Sequence, residues 1–382
     1  MANFPGVNVS VASGNLLREV AVADTVPCIV ATVKTSSLIG KLQVVYTIAD
    51  AEQYGYTAEK EPFMHGLLEE YYTEVAGKHK LYLLGTAETQ TMADVLNPIS
   101  TNGLKPALKQ CNGEVTLVAI ARHPAEGYEA GADFLDKDID QAVKNGKLTA
   151  EALQKEGMPV RILIEGRVAN GSKTNEYKPS EQGNGYVGIV LGGTKPDGSA
   201  SVALALGRAS KYPAHEKLGS GQNGQLAVGA LYVGSTPIEA RQDMDTLHDQ
   251  GFITFHQRVG VAGRFFGRDN MCSDDDFKIL AHGRIIDKAQ RIVQKALAPS
   301  IETAVRVKDD GTIEDSEASY LENLAEMALL SGLGEQVSGV KVTIDRDELL
   351  VQSSTLKVDI KVLPLGYLTW IKVSLGLAAS LN

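Results

Sequence analysis

At 382 residues and 43% hydrophobic side chains, the chain can bury a sizeable core and has the length of two or three domains. Its formal net charge of −10 argues against a nucleic-acid binder, which needs a dense basic patch to neutralise phosphates. Cys28, Cys111 and Cys272 are odd in number and far apart, which excludes a disulfide framework or a Cys-x-x-Cys metal clip and suits a reducing cytoplasm.

The N-terminus lacks the basic and apolar regions of a signal peptide, and no apolar run reaches membrane-spanning length. Val7, Val9 and Val11 alternate with Asn8 and Ser10 as a short terminal strand. Val26 to Val33 is a continuous apolar strand, and Gln43 to Ile48 a second extended run. Pro62 opens a helix at its first position, where the missing N–H costs nothing, and Phe63, Leu67, Leu68, Tyr71 and Val75 keep its apolar stripe until Gly77. Lys80 to Leu84 and Glu114 to Ala121 read as strands flanking a helical stretch from Met92 to Cys111 that Pro98 and Pro106 break or kink. Strand, helix and strand in alternation indicate an α/β layer.

Asp136 to Gly157 reads as helix in pieces, interrupted at Asn145-Gly146, and leads into the strand Val160 to Ile164. Asn170 to Gly185 is loop by composition. Val187 to Leu191 and Val202 to Leu206 look like a hairpin around Pro196-Asp197-Gly198. Ile238 to His248 is a short helix, followed by the strand Phe252 to Phe255. Ser273 is placed to cap the next helix, with Asp274 to Asp276 at its positive end, running to about Leu297 before Pro299. On it Arg284, Lys288, Arg291 and Lys295 recur at helical spacing as a basic stripe on an acidic protein. Asp309-Asp310-Gly311 is a turn, and Ser316 to Leu330 a helix stopped by Gly332. In the last thirty residues Leu356, Val358, Ile360 and Val362 alternate with charges, Pro364 to Tyr367 turns, and Leu368 to Leu375 resumes an extended pattern through Ile371 and Val373. A terminal hairpin of this kind either completes its own sheet or is offered to another subunit's sheet edge.

Motifs for catalysis are weak. Gly219 to Gly224 matches the letters Gly-x-Gly-x-x-Gly, but an extended run from Gln225 to Val233 follows where a dinucleotide site needs a helix, so a surface loop is the better reading. The seven histidines are scattered, without metal-ligand spacing, and Asp274 to Asp276 point in different directions in a helical turn. No catalytic residue, cofactor site or metal site is assigned, and the chain is read as a non-enzyme.

Phe4-Pro5-Gly6-Val7, the order of Phe252-Ile253-Thr254-Phe255, Arg284-Ile285-Ile286-Asp287 and Asp309-Asp310-Gly311-Thr312, and the strands around Pro364-Leu365-Gly366-Tyr367 resemble the sheath proteins of contractile phage tails, phage-like bacteriocins and contractile injection systems. The resemblance covers the N-terminus and the C-terminal third and leaves residues 35 to 250 unmatched. It implies a mixed α/β (α+β) fold: an N-terminal arm at 1–20, an outward α/β domain at 21–250, a core domain at 251–352 built with the N-terminal arm, and a C-terminal strand hairpin or arm at 353–382. It also implies stacked hexameric rings in a six-start helix around an inner tail tube, joined by strand exchange, that contract from a metastable extended state. The partners so implied are the chain itself, the tube protein, and baseplate and terminator proteins, with no nucleic acid and no membrane insertion. Assembly is expected in the bacterial cytoplasm, as part of a virion or phage-like particle. The inter-subunit strands would carry Val7, Val9, Val11, Leu356, Val358, Ile360, Val362, Ile371, Val373 and Leu375, while Arg284, Lys288, Arg291 and Lys295 would face the tube. The competing readings are another structural part of the same particle, tube or baseplate, and a cytosolic α/β enzyme.

Overall fold

The computed structural model describes residues 23–369, 371–373 and 377. The continuous apolar runs become the strands of a six-stranded sheet: β1 (Pro27–Thr32), β2 (Leu42–Val45), β3 (Leu81–Thr86), β4 (Leu117–Ala121), β5 (Arg161–Glu165) and β6 (Val187–Val190), in the order β2-β3-β1-β4-β5-β6. All neighbours are parallel except β2, which runs antiparallel to β3 at one edge. Every residue of β1, β3, β4, β5 and β6 is buried, as expected of a parallel sheet covered on both faces.

Between these strands lie α1 (Ile48–Tyr54), α2 (Pro62–Val75), α3 (Met92–Val95), α4 (Leu104–Gln110) and α5 (Asp138–Lys155), and after β6 comes α6 (Val202–Lys211). Local chemistry sets their ends. The Thr47 hydroxyl accepts from the Asp50 N–H, Pro62 occupies the first turn of α2, and Thr91 with Asp94 forms a capping box on α3. Pro106 fits into the first turn of α4 instead of breaking it.

Two sequence expectations fail in this region. Val202 to Leu206 is helix, not strand: α6 is buried on all sides from Val202 to Ala209, and a helix without a polar face shows the same unbroken apolar run as a buried strand. The pair with β6 is therefore not a hairpin. α5 is continuous through Asn145-Gly146. Gly146 is there because the helix crosses β6 so closely that a Cβ would lie 2.7 Å from Val187 Cγ2.

The rest of the chain comprises β7 (Tyr232–Val233), β8 (Thr236–Pro237), α7 (Met244–Asp249), β9 (Phe255–His256), β10 (Phe265–Phe266), α8 (Leu280–Leu297), α9 (Asp315–Leu333), β11 (Val337–Ile344), α10 (Leu350–Ser353) and β12 (Val358–Pro364). Ser273 does not cap α8. The helix begins seven residues later, where Asp269 accepts from Leu280 N–H through its carbonyl at 2.9 Å and from Ala281 N–H through Oδ2 at 3.1 Å. α9 runs through Gly332 to Leu333 and stops at Gly334, whose φ is +53°.

A large core takes in buried residues from Val26 to Leu280. A second, around Ile285, Ala289 and Ile292 of α8, Ala325 and Leu329 of α9 and Val342 of β11, receives Val358, Ile360 and Val362 of β12. A third, small cluster joins Ile313, Ala318, Leu321 and Ile344, with Leu356 packed against it.

Candidate assembly surface

β12 pairs with β11, and among the described residues none after Tyr367 pairs with it; the expected second strand of the hairpin lies partly outside the described residues. The ladder is antiparallel, with Ile344 opposite Val358, Val342 opposite Ile360 and Val340 opposite Val362. These apolar pairs lie on the face turned to α8 and α9, and Asp359, Lys361 and Leu363 face outward. The sequence reading missed β11, although Val340, Val342 and Ile344 carry the same period-two signal.

The β11–β12 sheet has two strands, and among the described residues no further strand pairs with either outer edge. Each edge thus presents a row of backbone donors and acceptors, the arrangement that recruits an added strand. A two-stranded ribbon is marginal alone, and here it leans on two helices.

The Tyr367 hydroxyl donates to the His215 carbonyl at 2.6 Å. After it, Leu368, Ile371 and Val373 are 90%, 78% and 72% exposed, so these three apolar side chains lie open. Leu375 and the N-terminal Val7, Val9 and Val11 lie outside the described residues.

The basic stripe is a seam inside the molecule, which corrects the tube-facing expectation for Arg284 and Lys288. Arg284 is buried, and its Nη2 donates to Thr25 Oγ1 at 2.6 Å and to the carbonyls of Ala209 and Tyr212. Burial pushes its guanidinium down to about 10, against the opposing pull of Asp24 and Asp269. Lys288 is buried and meets Asp24 Oδ1 at 2.7 Å. Arg291 is half-buried and donates to the carbonyls of Gly113, Val115 and Pro159. Lys295 alone of the four is exposed. Helical spacing does place the four on one face, but three of them turn to carboxylates and carbonyl ends of the main sheet region, where buried cations find the partners they require. The reading also missed Asp287, which shares this face and pairs with Arg161 at 2.8 Å. A carboxylate within a cationic stripe was the available signal.

The Gly219 to Gly224 segment is a loop with a short 3-10 turn at Gly221–Asn223. Arg208 donates to the carbonyls of Asn223, Gly224 and Gln225, so three carbonyl oxygens converge on a cation. That is the reverse of a phosphate cradle, which needs converging N–H groups. Among the described residues no three His, Cys, Asp or Glu side chains come together as a metal site, and no helix is long and apolar enough to cross a membrane.

The sequence matches the DUF2586 family over its N-terminal domain at residues 4–270 and its C-terminal domain at residues 276–382. No curated protein matches it. Among solved structures, a chain from the helical sheath of the anti-feeding prophage in its contracted state superposes with a TM-score of 0.66 and 16% identity, over 98% of this chain and 99% of that one. A chain from the six-fold symmetrised baseplate of the same particle gives 0.63 and 14%, over 99% and 100%. The sheath tail protein of Desulfitobacterium hafniense gives 0.52 and 10%, over 94% and 100%. The chain belongs to the DUF2586 family and has the mixed α/β fold of contractile sheath proteins.

Proposed function

We propose that the protein is the structural subunit of a contractile sheath, polymerising around an inner tube by exchange of terminal strands and contracting from a metastable extended lattice. The observation that carries this reading is the β11–β12 sheet, whose outer edges no further strand among the described residues covers, together with the exposed Leu368, Ile371 and Val373 just beyond it. An arm from one copy can add to the open edge of another: main-chain bonds supply the affinity, and alternate apolar side chains set the register. The likeness of nearly the whole chain to a contracted sheath subunit supports the same role. On this reading the subunits stack as hexameric rings in a six-start helix, with tube, baseplate and terminator proteins as further partners, in a virion or phage-like particle assembled in the bacterial cytoplasm. The work is mechanical: contraction draws on better-packed contacts between subunits in the shorter lattice, and no bond chemistry is required.

A second reading, a baseplate component of such a particle, is favoured by the match to a chain in a baseplate assembly. Negative-stain electron microscopy of the purified chain separates the two, beside a truncation after Tyr367. The cut is placed there because removing β12 as well would strip β11 of its partner. Long tubes or ring stacks from the full chain, lost on truncation, are expected of a sheath. Compact monomers from both, or finite rings alone, would overturn it.

A further inference from the structure

The sequence marks Pro364-Leu365-Gly366-Tyr367 as a turn, and the structure gives its last residue a specific seat. Tyr367 is half-buried three residues beyond the end of β12. Its hydroxyl donates to the His215 carbonyl at 2.6 Å, the Lys217 Nζ stands 4.8 Å from its ring centroid, and the His282 ring in the first turn of α8 lies 5.8 Å away. Lys217 is also 3.9 Å from buried Asp269, the residue that caps α8. Tyr367 therefore sits over the charged groups that fix the start of α8. One residue further on, Leu368 is 90% exposed, and Ile371 and Val373 remain uncovered.

We propose that Tyr367 is the root of the exchanged arm: it pins the chain to its own subunit against His215, Lys217 and His282, and thereby sets where the segment handed to a second copy begins and which way it leaves. This rests on the strand-exchange reading above. An arm held at its root explores fewer directions, so less conformational entropy is lost when it docks. Burial, with Asp269 and Glu216 nearby, pushes the phenol up to about 12, so the hydroxyl remains a donor at neutral pH. The seat also gives each lattice state the same starting point for its arm, leaving the residues beyond to absorb the change between states.

The chain has a single tryptophan, Trp370, three residues past Tyr367, and it serves as the reporter. Tryptophan fluorescence anisotropy is measured on dilute, unassembled full-length protein, and the lowest concentration that gives tubes is found by electron microscopy, for wild type, Tyr367→Ala and Tyr367→Phe. Thermal unfolding checks that each variant is folded. Tyr367→Ala should lower the anisotropy and raise the tube-forming concentration several-fold. Tyr367→Phe keeps the ring, loses the hydrogen bond and should fall between, so the test stands even where alanine impairs folding. Unchanged anisotropy in both variants overturns the proposal, and so does a mobile arm that still polymerises at the wild-type concentration. Failure of the wild type to form tubes would instead overturn strand exchange itself.

Discussion

Arg161 on β5 and Asp287 on α8 form a two-pronged ion pair, Nε to Oδ2 and Nη2 to Oδ1, each at 2.8 Å, with side chains 2% and 4% exposed. The third arm of the guanidinium donates to the Gly185 carbonyl, and Tyr186 and Phe277 flank it. The pair ties the helix that begins the second core to the sheet of the first. Because both charges are withdrawn from water, removing one leaves the other uncompensated. Asp287→Ala should lower unfolding free energy in urea by about 3–5 kcal/mol, whereas Arg161→Met with Asp287→Leu should recover most of that loss. Equal losses in the single and double variants would show that packing, not the stranded charge, sets the cost.

Glu165 closes β5 with a fully buried carboxyl that accepts from the Arg122 N–H at 2.7 Å and the Ala200 N–H at 3.1 Å, with Arg167 at 3.5 Å. Burial pushes its pKa up to about 7, and Arg167 and the two backbone bonds pull it back only in part. In the folded chain the proton is held to about 7, and in the unfolded chain it leaves near the ordinary 4.5, so between these values the folded state binds more protons. The contribution of Glu165 is therefore whole below the unfolded pKa and declines as pH rises through 7, by roughly 3 kcal/mol in all. Glu165→Gln keeps one acceptor of two, which costs a pH-independent 1–3 kcal/mol or so, and it removes the slope. The difference between wild-type and variant urea stabilities, followed from pH 4 to 8, should narrow as pH rises. A constant difference would refute the assignment.

Elements whose signal is local were readable from the sequence. Pro62 at a helix start, the Asp309-Asp310-Gly311 turn, the loop from Asn170 to Gly185 and the apolar strands of the main sheet all depend on a few adjacent residues. What was not readable depends on distant ones. Gly146 looks like a helix breaker until Val187 is seen beneath it, and α6 looks like a strand until its burial on every side is known. Arg284, Lys288 and Arg291 give the pattern of a solvated or partner-facing stripe, and only the positions of Asp24 and of the carbonyls at the end of α6 and just before β4 and β5 turn it inward. For the assembly surface, the alternation in β12 pointed to a strand with one packed face, but the neighbour it pairs with among the described residues, β11, comes from before it in the chain.

The exposed segment beyond Tyr367 gives the most direct test of how copies join. Ile371 and Val373 are two apart and uncovered, which in an extended chain puts them on one side with Lys372 on the other. In the isolated subunit they touch too little for their loss to matter. Ile371→Asp and Val373→Asp should leave the unfolding free energy within about 0.5 kcal/mol of wild type, the usual range for surface changes. In an added strand the same pair would turn to a neighbour's core face and set the register, so burying either aspartate there would leave an uncompensated charge. Each variant should therefore fail to form tubes while remaining folded, and Lys372→Glu, pointing the other way, should still form them. Tubes from both aspartate variants would mean that this segment stays outside the lattice, and would turn attention to Leu363, 62% exposed on the outer face of β12 itself.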